Sequence, residues 1–119
     1  MSDDLRAYLK EVMTVPTLQQ FQLISLFQET EPGGPQAELA RRRLIEVNLR
    51  LAVSVARKYK GRGLPLWELI EASNVGLIRA VDRYRFRTNT VPFSRYAIWW
   101  MRKAIVEALD EAWRDRLAW

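Results

Sequence analysis

Between Phe93 and Ile105 the chain reads FSRYAIWWMRKAI. Four aromatic side chains (Phe93, Tyr96, Trp99 and Trp100) fall within eight residues, with the cations Arg95, Arg102 and Lys103 among them. Rings interleaved with cations, with no acid nearby, suit single-stranded nucleic acid: bases stack on the rings at about 1–3 kcal/mol each, and Lys or Arg follow the phosphates. A reader of intact duplex would more naturally place Arg, Asn or Gln on a helix face to reach base edges. This stretch offers rings, which suit bases already out of the stack or bases it helps to hold there. Catalysis has less to work with. The chain contains neither His nor Cys, which removes the commonest neutral-pH base, the commonest metal ligand and any thiolate site. Glu68 and Glu71 stand three apart and could be imagined as an acid/base pair, but their ordinary reading is a solvated acidic face. We expect no catalytic residue, no metal, no cofactor and no enzymatic activity.

The charge distribution supports a polyanionic partner. The net charge is +5 over 119 residues. Residues 1–34 carry two basic and five acidic side chains, whereas residues 35–60 carry seven basic and two acidic. Residues 83–106 hold six basic and no acidic side chains, and this is also the aromatic block. Basic blocks on an otherwise balanced protein favour nucleic acid or another polyanion, the plainer reading being a solvated basic face. The acidic N-terminus, MSDDLRAYLKEVM, has no apolar signal-peptide core, and no apolar run approaches the roughly 18 residues of a membrane span. A cytoplasmic protein is expected.

Helical patterning runs through the sequence. Ser2 or Asp3 is positioned to cap a helix over about 3–14, with Leu5, Tyr8, Leu9 and Val12 on one face. Pro16 breaks it, and Thr17 is placed to cap a second helix ending near Thr30. EPGGP (31–35) is a loop. A long helix is expected over 36–60, with Leu39, Leu44, Val47, Leu51, Val55 and Tyr59 as its stripe. GRGLP (61–65) stops it, and a further helix spans 66–83. Residues 85–92 lack a helical period. Ser94 is placed to cap a last helix running to about 117. No segment alternates, so the expected class is all-α: a compact bundle of about five helices in one domain, 1–119.

On a wheel of the last helix, Ala97, Met101, Ala104, Ile105, Ala108 and Ala112 fall within about 60° of one direction, flanked by Ile98 and Leu109. Tyr96, Trp99, Trp100 and Lys103 lie roughly 100–160° away. Adjacent tryptophans on a helix ordinarily bury at least one ring, but the rival core stripe argues for a second, outward face, with Phe93 at its N-terminal edge.

The motifs NLRL (48–51), KYKGRG (58–63), ELI with N-x-GL-x-RAV (68–81) and FSRYA-x-WW (93–100) occur in the order and near the spacing of conserved region 2 of the bacterial sigma-70 family, which the chain resembles. The segment DLRAYLKEVMTVPTLQQFQLISLFQ looks like the region 1.2 helices upstream, giving 1–30 as region 1.2-like and 36–119 as region 2-like. The resemblance implies a promoter-recognition module. It would bind the −10 element on the non-template strand, hold flipped bases as the duplex opens, and dock on the clamp helices of the RNA polymerase largest subunit. It implies that Phe93, Tyr96, Trp99 and Trp100 wall the pocket of an upstream adenine, and that Asn48, Leu51 and Ser94 surround a downstream thymine. Arg50, Arg83, Arg85, Arg87, Arg95, Arg102 and Lys103 complete the candidate DNA-binding set. Trp67, Glu68, Glu71, Asn74 and Ile78 are the candidate polymerase contacts, and an anti-sigma regulator is a further candidate partner. Nucleoid association in the bacterial cytoplasm follows from the same resemblance.

Several positions depart from the family pattern. Val91 and Pro92 stand where an aromatic and a basic residue are frequent, and Arg95 replaces a small hydroxyl residue. Lys103 and Val106 replace the Gln and Thr that read the upstream edge of the element. Ala72 and Ser73 replace an acid and a Gly on the polymerase-facing helix. The chain ends at Trp119 without segments for extended −10 or −35 elements, so the expectation is an excised domain, a minimal version or a short paralogue. The alternative function is a protein-interaction module that keeps the fold and its polymerase or regulator binding but has lost specific DNA recognition. The six cations of 83–106, with no acid among them, argue against that, because a pure protein interface has no need of six uncompensated cations.

Overall fold

In the computed structural model, which describes residues 2–117, the chain forms α1 (Asp3–Val12), α2 (Gln20–Thr30), α3 (Pro35–Glu46), α4 (Leu49–Arg57), α5 (Leu66–Arg83) and α6 (Phe93–Leu117). The class is all-α, as the patterning predicts. The sixth helix arises because the long helix expected over 36–60 breaks at Val47–Asn48. There the backbone N–H of Asn48 donates to the Ile45 carbonyl three residues back. That leaves the Leu44 carbonyl free, and the Asn48 side-chain amide donates to it at 2.7 Å. A side chain competing for the backbone in this way ends one helix, and Asn48 becomes the N-cap residue of the next.

The other ends follow local chemistry, with two differences from expectation. Ser2 caps α1, its hydroxyl accepting from the Leu5 N–H at 3.1 Å. The second helix begins at Gln20, three residues beyond the expected Thr17 cap. Gln19 and Gln22 form a reciprocal capping box there, with the Gln19 N–H donating to Gln22 Oε1 at 2.8 Å. The last helix begins at Phe93, so Ser94 lies inside it. The free N–H of Phe93 donates instead to Gln20 Oε1 on α2, 3.0 Å away.

α5 and α6 pack along their lengths, α4 lies against both, and α2 and α3 pair beside them. The core between them holds Leu44, Leu69, Leu77, Met101 and Ile105, all fully buried. Two small residues set the α5 spacing. Gly76 lies so close to α6 that a methyl group there would meet the Trp100 carbonyl and come within 2.6 Å of the Met101 Cα. Ser73, also fully buried, donates its hydroxyl to the Ala52 carbonyl of α4 at 2.8 Å. The Ser73 departure therefore sits inside the bundle and not on its surface. α1 lies at the edge. Tyr8 accepts from the Asn74 amide at 3.1 Å. Arg50 reaches the Met13 and Val15 carbonyls at 2.7 and 3.2 Å.

Candidate nucleic-acid interface

α6 is two-faced in the way the wheel predicts. Ala97, Met101, Ala104 and Ile105 are buried, and Ala108 and Ala112 half-buried. On the other side Trp99 is 57% exposed, Arg95, Arg102 and Lys103 are exposed, and Tyr96 and Trp100 are half-buried. Phe93 is the correction. It does not stand at the edge of the outer face but is fully buried, with its ring centroid 5.2 Å from Phe27 and 5.3 Å from Tyr84. As the first residue of α6 it projects inward, where Phe27 of α2 and Tyr84 at the end of α5 close over it.

The aromatic side chains form a chain from core to solvent. Buried Tyr84 touches Phe27, Phe93 and Tyr96, the last at 5.2 Å. Tyr96 meets Trp100 at 6.4 Å, and Trp100 meets Trp99 at 5.1 Å with the rings perpendicular. Edge-to-face contacts of this kind are favourable because the positive edge of one ring meets the negative face of the next. The Tyr84 hydroxyl donates to the Val91 carbonyl at 2.7 Å and accepts from the Gln20 amide at 3.3 Å. One buried ring thus ties together α2, the 84–92 segment and the base of the outer wall. Composition and spacing gave no signal for Gln20 or Tyr84 as positioning residues.

Cations crowd the outer end of this chain. The Arg83 guanidinium sits 5.0 Å from the Trp100 ring centre, and the Lys103 ammonium 5.5 Å from both indoles. Lys103 also lies 3.8 Å from Glu107, which is itself 3.7 Å from Arg79. Arg95 and Arg102 belong to no ion pair among the described residues. Among the described residues the buried Trp100 indole N–H has no partner, so it is an unused donor in the wall.

The 84–92 segment leans toward α2. Arg87 makes a bidentate bridge to Glu31, Nη2 to Oε1 at 2.7 Å and Nε to Oε2 at 3.1 Å, and its guanidinium lies 4.8 Å from the Phe86 ring centre. The hydrogen bonds from Arg87 hold the Glu31 carboxyl below its usual range and push the Arg87 guanidinium above its own. Among the described residues Arg85 makes only a 3.4 Å contact with the Asp82 carbonyl.

The remaining candidates sit apart from the indole wall in character. Asn48 is buried and uses its amide at the α3–α4 break. Arg50 is turned inward onto the carbonyls after α1, with its Nε buried and unpartnered. Leu51 is half-buried and Ser94 exposed. On α5, Trp67 is 49% and Ile78 37% exposed, Glu71 is exposed, and Glu68 and Asn74 are half-buried. Positions 67, 71, 74 and 78 recur at the helical period, so they share one side of α5, and no cation occurs between Leu66 and Ile78.

Comparison with known proteins places this geometry in a family. The sigma-70 region 2 family model matches residues 44–115. The chain is 43% identical over 117 residues to the RNA polymerase sigma factor SigA of Lactococcus lactis subsp. cremoris, the match covering 93% of this chain and 30% of that protein. It is 43% identical over 117 residues to SigA of L. lactis subsp. lactis strain IL1403, covering 93% and 28%. The value for Clostridium acetobutylicum SigA is 42% over 111 residues, again 93% and 28%. The chain thus spans less than a third of these relatives. It belongs to the sigma-70 family, as a region 2 domain with the helices that precede it.

Proposed function

We propose that this domain recognises the −10 promoter element and stabilises its melted state, holding flipped bases of the non-template strand while α5 docks on the clamp helices of RNA polymerase. It would act in the bacterial cytoplasm, at the nucleoid, without catalysing a reaction. The observation that carries the reading is the wall on α6: two perpendicular indoles, flanked by Arg83 and Lys103, on the side of the helix opposite its core stripe.

The energetics are of the right size. Opening duplex costs roughly 1.4 kcal/mol per base-pair step. Stacking one unpaired base on Trp99 and another against the Tyr96–Trp100 side returns about 1–3 kcal/mol each. Arg83, Arg95, Arg102 and Lys103 add phosphate neutralisation. Four such contacts to a single strand give a slope of log affinity against log salt near −3, at about −0.7 per contact.

A second reading, the protein-interaction module, draws on the inward candidates: Arg50 and Asn48 serve the fold, and Arg87 is taken up by Glu31. Titrating labelled single strands carrying TATAAT or a scrambled order, at two salt concentrations, separates the readings. The promoter-recognition reading expects preference for TATAAT and steep salt dependence. Equal, weak binding of both strands would leave the interaction module.

A further inference from the structure

α1 carries no role in the reading above, yet it faces the same side of α5 that the reading gives to the polymerase. Between the two helices lies a groove of about 430 Å³. Its walls are apolar: Leu5 and Tyr8 from α1, Trp67 and Ile70 from α5. Asp4 and Glu71 stand along it, one from each helix, and among the described residues no cation lines it. Asn74 also lines it, donating Nδ2 to the Tyr8 hydroxyl at 3.1 Å, while its Oδ1 is buried without a partner.

We propose that α1 and α5 are the two jaws of a groove that clasps a basic amphipathic helix of the core polymerase, with α1 supplying half of the contact. This rests on the polymerase-docking reading and extends it to Asp4, Leu5 and Tyr8. The chemistry of the lining selects the occupant. Apolar side chains of a partner helix enter between Leu5, Tyr8 and Ile70. A Lys or Arg one turn away meets Asp4 and Glu71 and lies over Trp67, which at 49% exposure keeps a ring face open. A half-exposed tryptophan beside an apolar cleft with charge at its rim is the arrangement in which interface energy concentrates. An acidic helix would meet two like charges there and be rejected. α1 is anchored for this by Val12, buried in the core, with Leu5, Tyr8 and Leu9 packed against it, and by the Tyr8–Asn74 bond across to α5.

The test measures binding of the labelled chain to bacterial core RNA polymerase free of sigma factor, by fluorescence anisotropy. TATAAT strand binding is measured in parallel. Asp4→Lys changes an exposed side chain and is expected to weaken polymerase binding about tenfold. Leu5→Lys does the same from the wall of the groove. Glu11→Lys, an equal charge reversal on α1 outside the groove, leaves polymerase binding unchanged, and all three leave strand binding unchanged. Circular dichroism verifies that each variant stays folded. If Glu68→Lys abolishes polymerase binding while Asp4→Lys and Leu5→Lys do not weaken it, the docking reading stands and the second jaw is overturned. Equal weakening by Asp4→Lys and Glu11→Lys also overturns it, since bulk charge then accounts for the effect. If the unaltered chain does not bind core polymerase at all, the docking reading itself fails, and the jaw with it.

Discussion

Replacing Trp99 by Ala separates a ligand-facing ring from a structural one. The ring is 57% exposed and makes two contacts of note, the perpendicular one with Trp100 at 5.1 Å and the Lys103 ammonium at 5.5 Å. An edge-to-face pair contributes about 0.5–1.5 kcal/mol, and an exposed cation–π contact about 0.5–1 kcal/mol. The folded state therefore loses about 1–2.5 kcal/mol, a fall in Tm of about 4–10 °C for a chain of this size. Trp100→Ala removes a half-buried ring that touches Tyr96, Trp99, Arg83 and Lys103. A fully buried Trp→Ala costs about 3–5 kcal/mol, and this ring, half-buried but in more contacts than Trp99, loses a substantial part of that, so its Tm falls further. On the ligand side the order changes. If one base stacks on Trp99, its loss costs about 1–3 kcal/mol, or roughly 5- to 150-fold in affinity for a TATAAT strand. Thermal melting by circular dichroism and anisotropy with a labelled strand give both quantities. A Trp99 variant that melts lower than the Trp100 variant, or that binds the strand like wild type, would refute this division of labour.

Phe93→Ala empties a fully buried site between Phe27 and Tyr84; a loss of about 3–5 kcal/mol, and a Tm drop of roughly 10 °C or more, is expected in a melting curve. Gly76→Ala forces a methyl group onto the Trp100 and Met101 backbone, which cannot yield as a side chain would. We expect a loss of about 1–3 kcal/mol in chemical denaturation, together with weaker strand binding, because the displaced backbone carries the indole wall. Glu31→Gln releases Arg87 from its bidentate bridge. Strand affinity is expected to rise and its salt slope to steepen by about 0.7, whereas the same change beside Arg87→Gln is expected to have no such effect. Acid has a parallel effect on the bridge. The Glu31 carboxyl is held below its usual range, so the bridge contributes above the ordinary carboxylate value and its contribution is lost as pH falls through the depressed one. Nuclear magnetic resonance of the Arg87 side chain across an acid titration reads that release.

Much of the architecture was legible because it rests on helical periodicity and punctuation. The 66–83 helix, the GRGLP stop, the loop at EPGGP and the Met101–Ile105 core stripe all come from spacing and from residues that cannot continue a helix. What escaped was decided by partners distant in sequence. Nothing near Phe93 announces that Phe27 and Tyr84 close over it, or that Gln20 satisfies its N–H, so it reads as the edge of the outer face. Asn48 looks like an ordinary helical polar residue until its amide takes the Leu44 carbonyl and splits the helix. Arg50 and Arg87 count toward a cationic surface in the sequence, yet one reaches inward to backbone carbonyls and the other is matched by a carboxylate 56 residues away. Charge blocks report how many cations a segment has, and only the fold tells which of them remain free.

The central claim is tested most directly by the indole N–H resonances. With the chain labelled at its tryptophans, addition of a TATAAT single strand is expected to shift the signals of Trp99 and Trp100 and leave that of Trp67 in place. Perturbation of Trp67 alone, or of no indole at strand concentrations well above those used for labelled binding, would contradict the account.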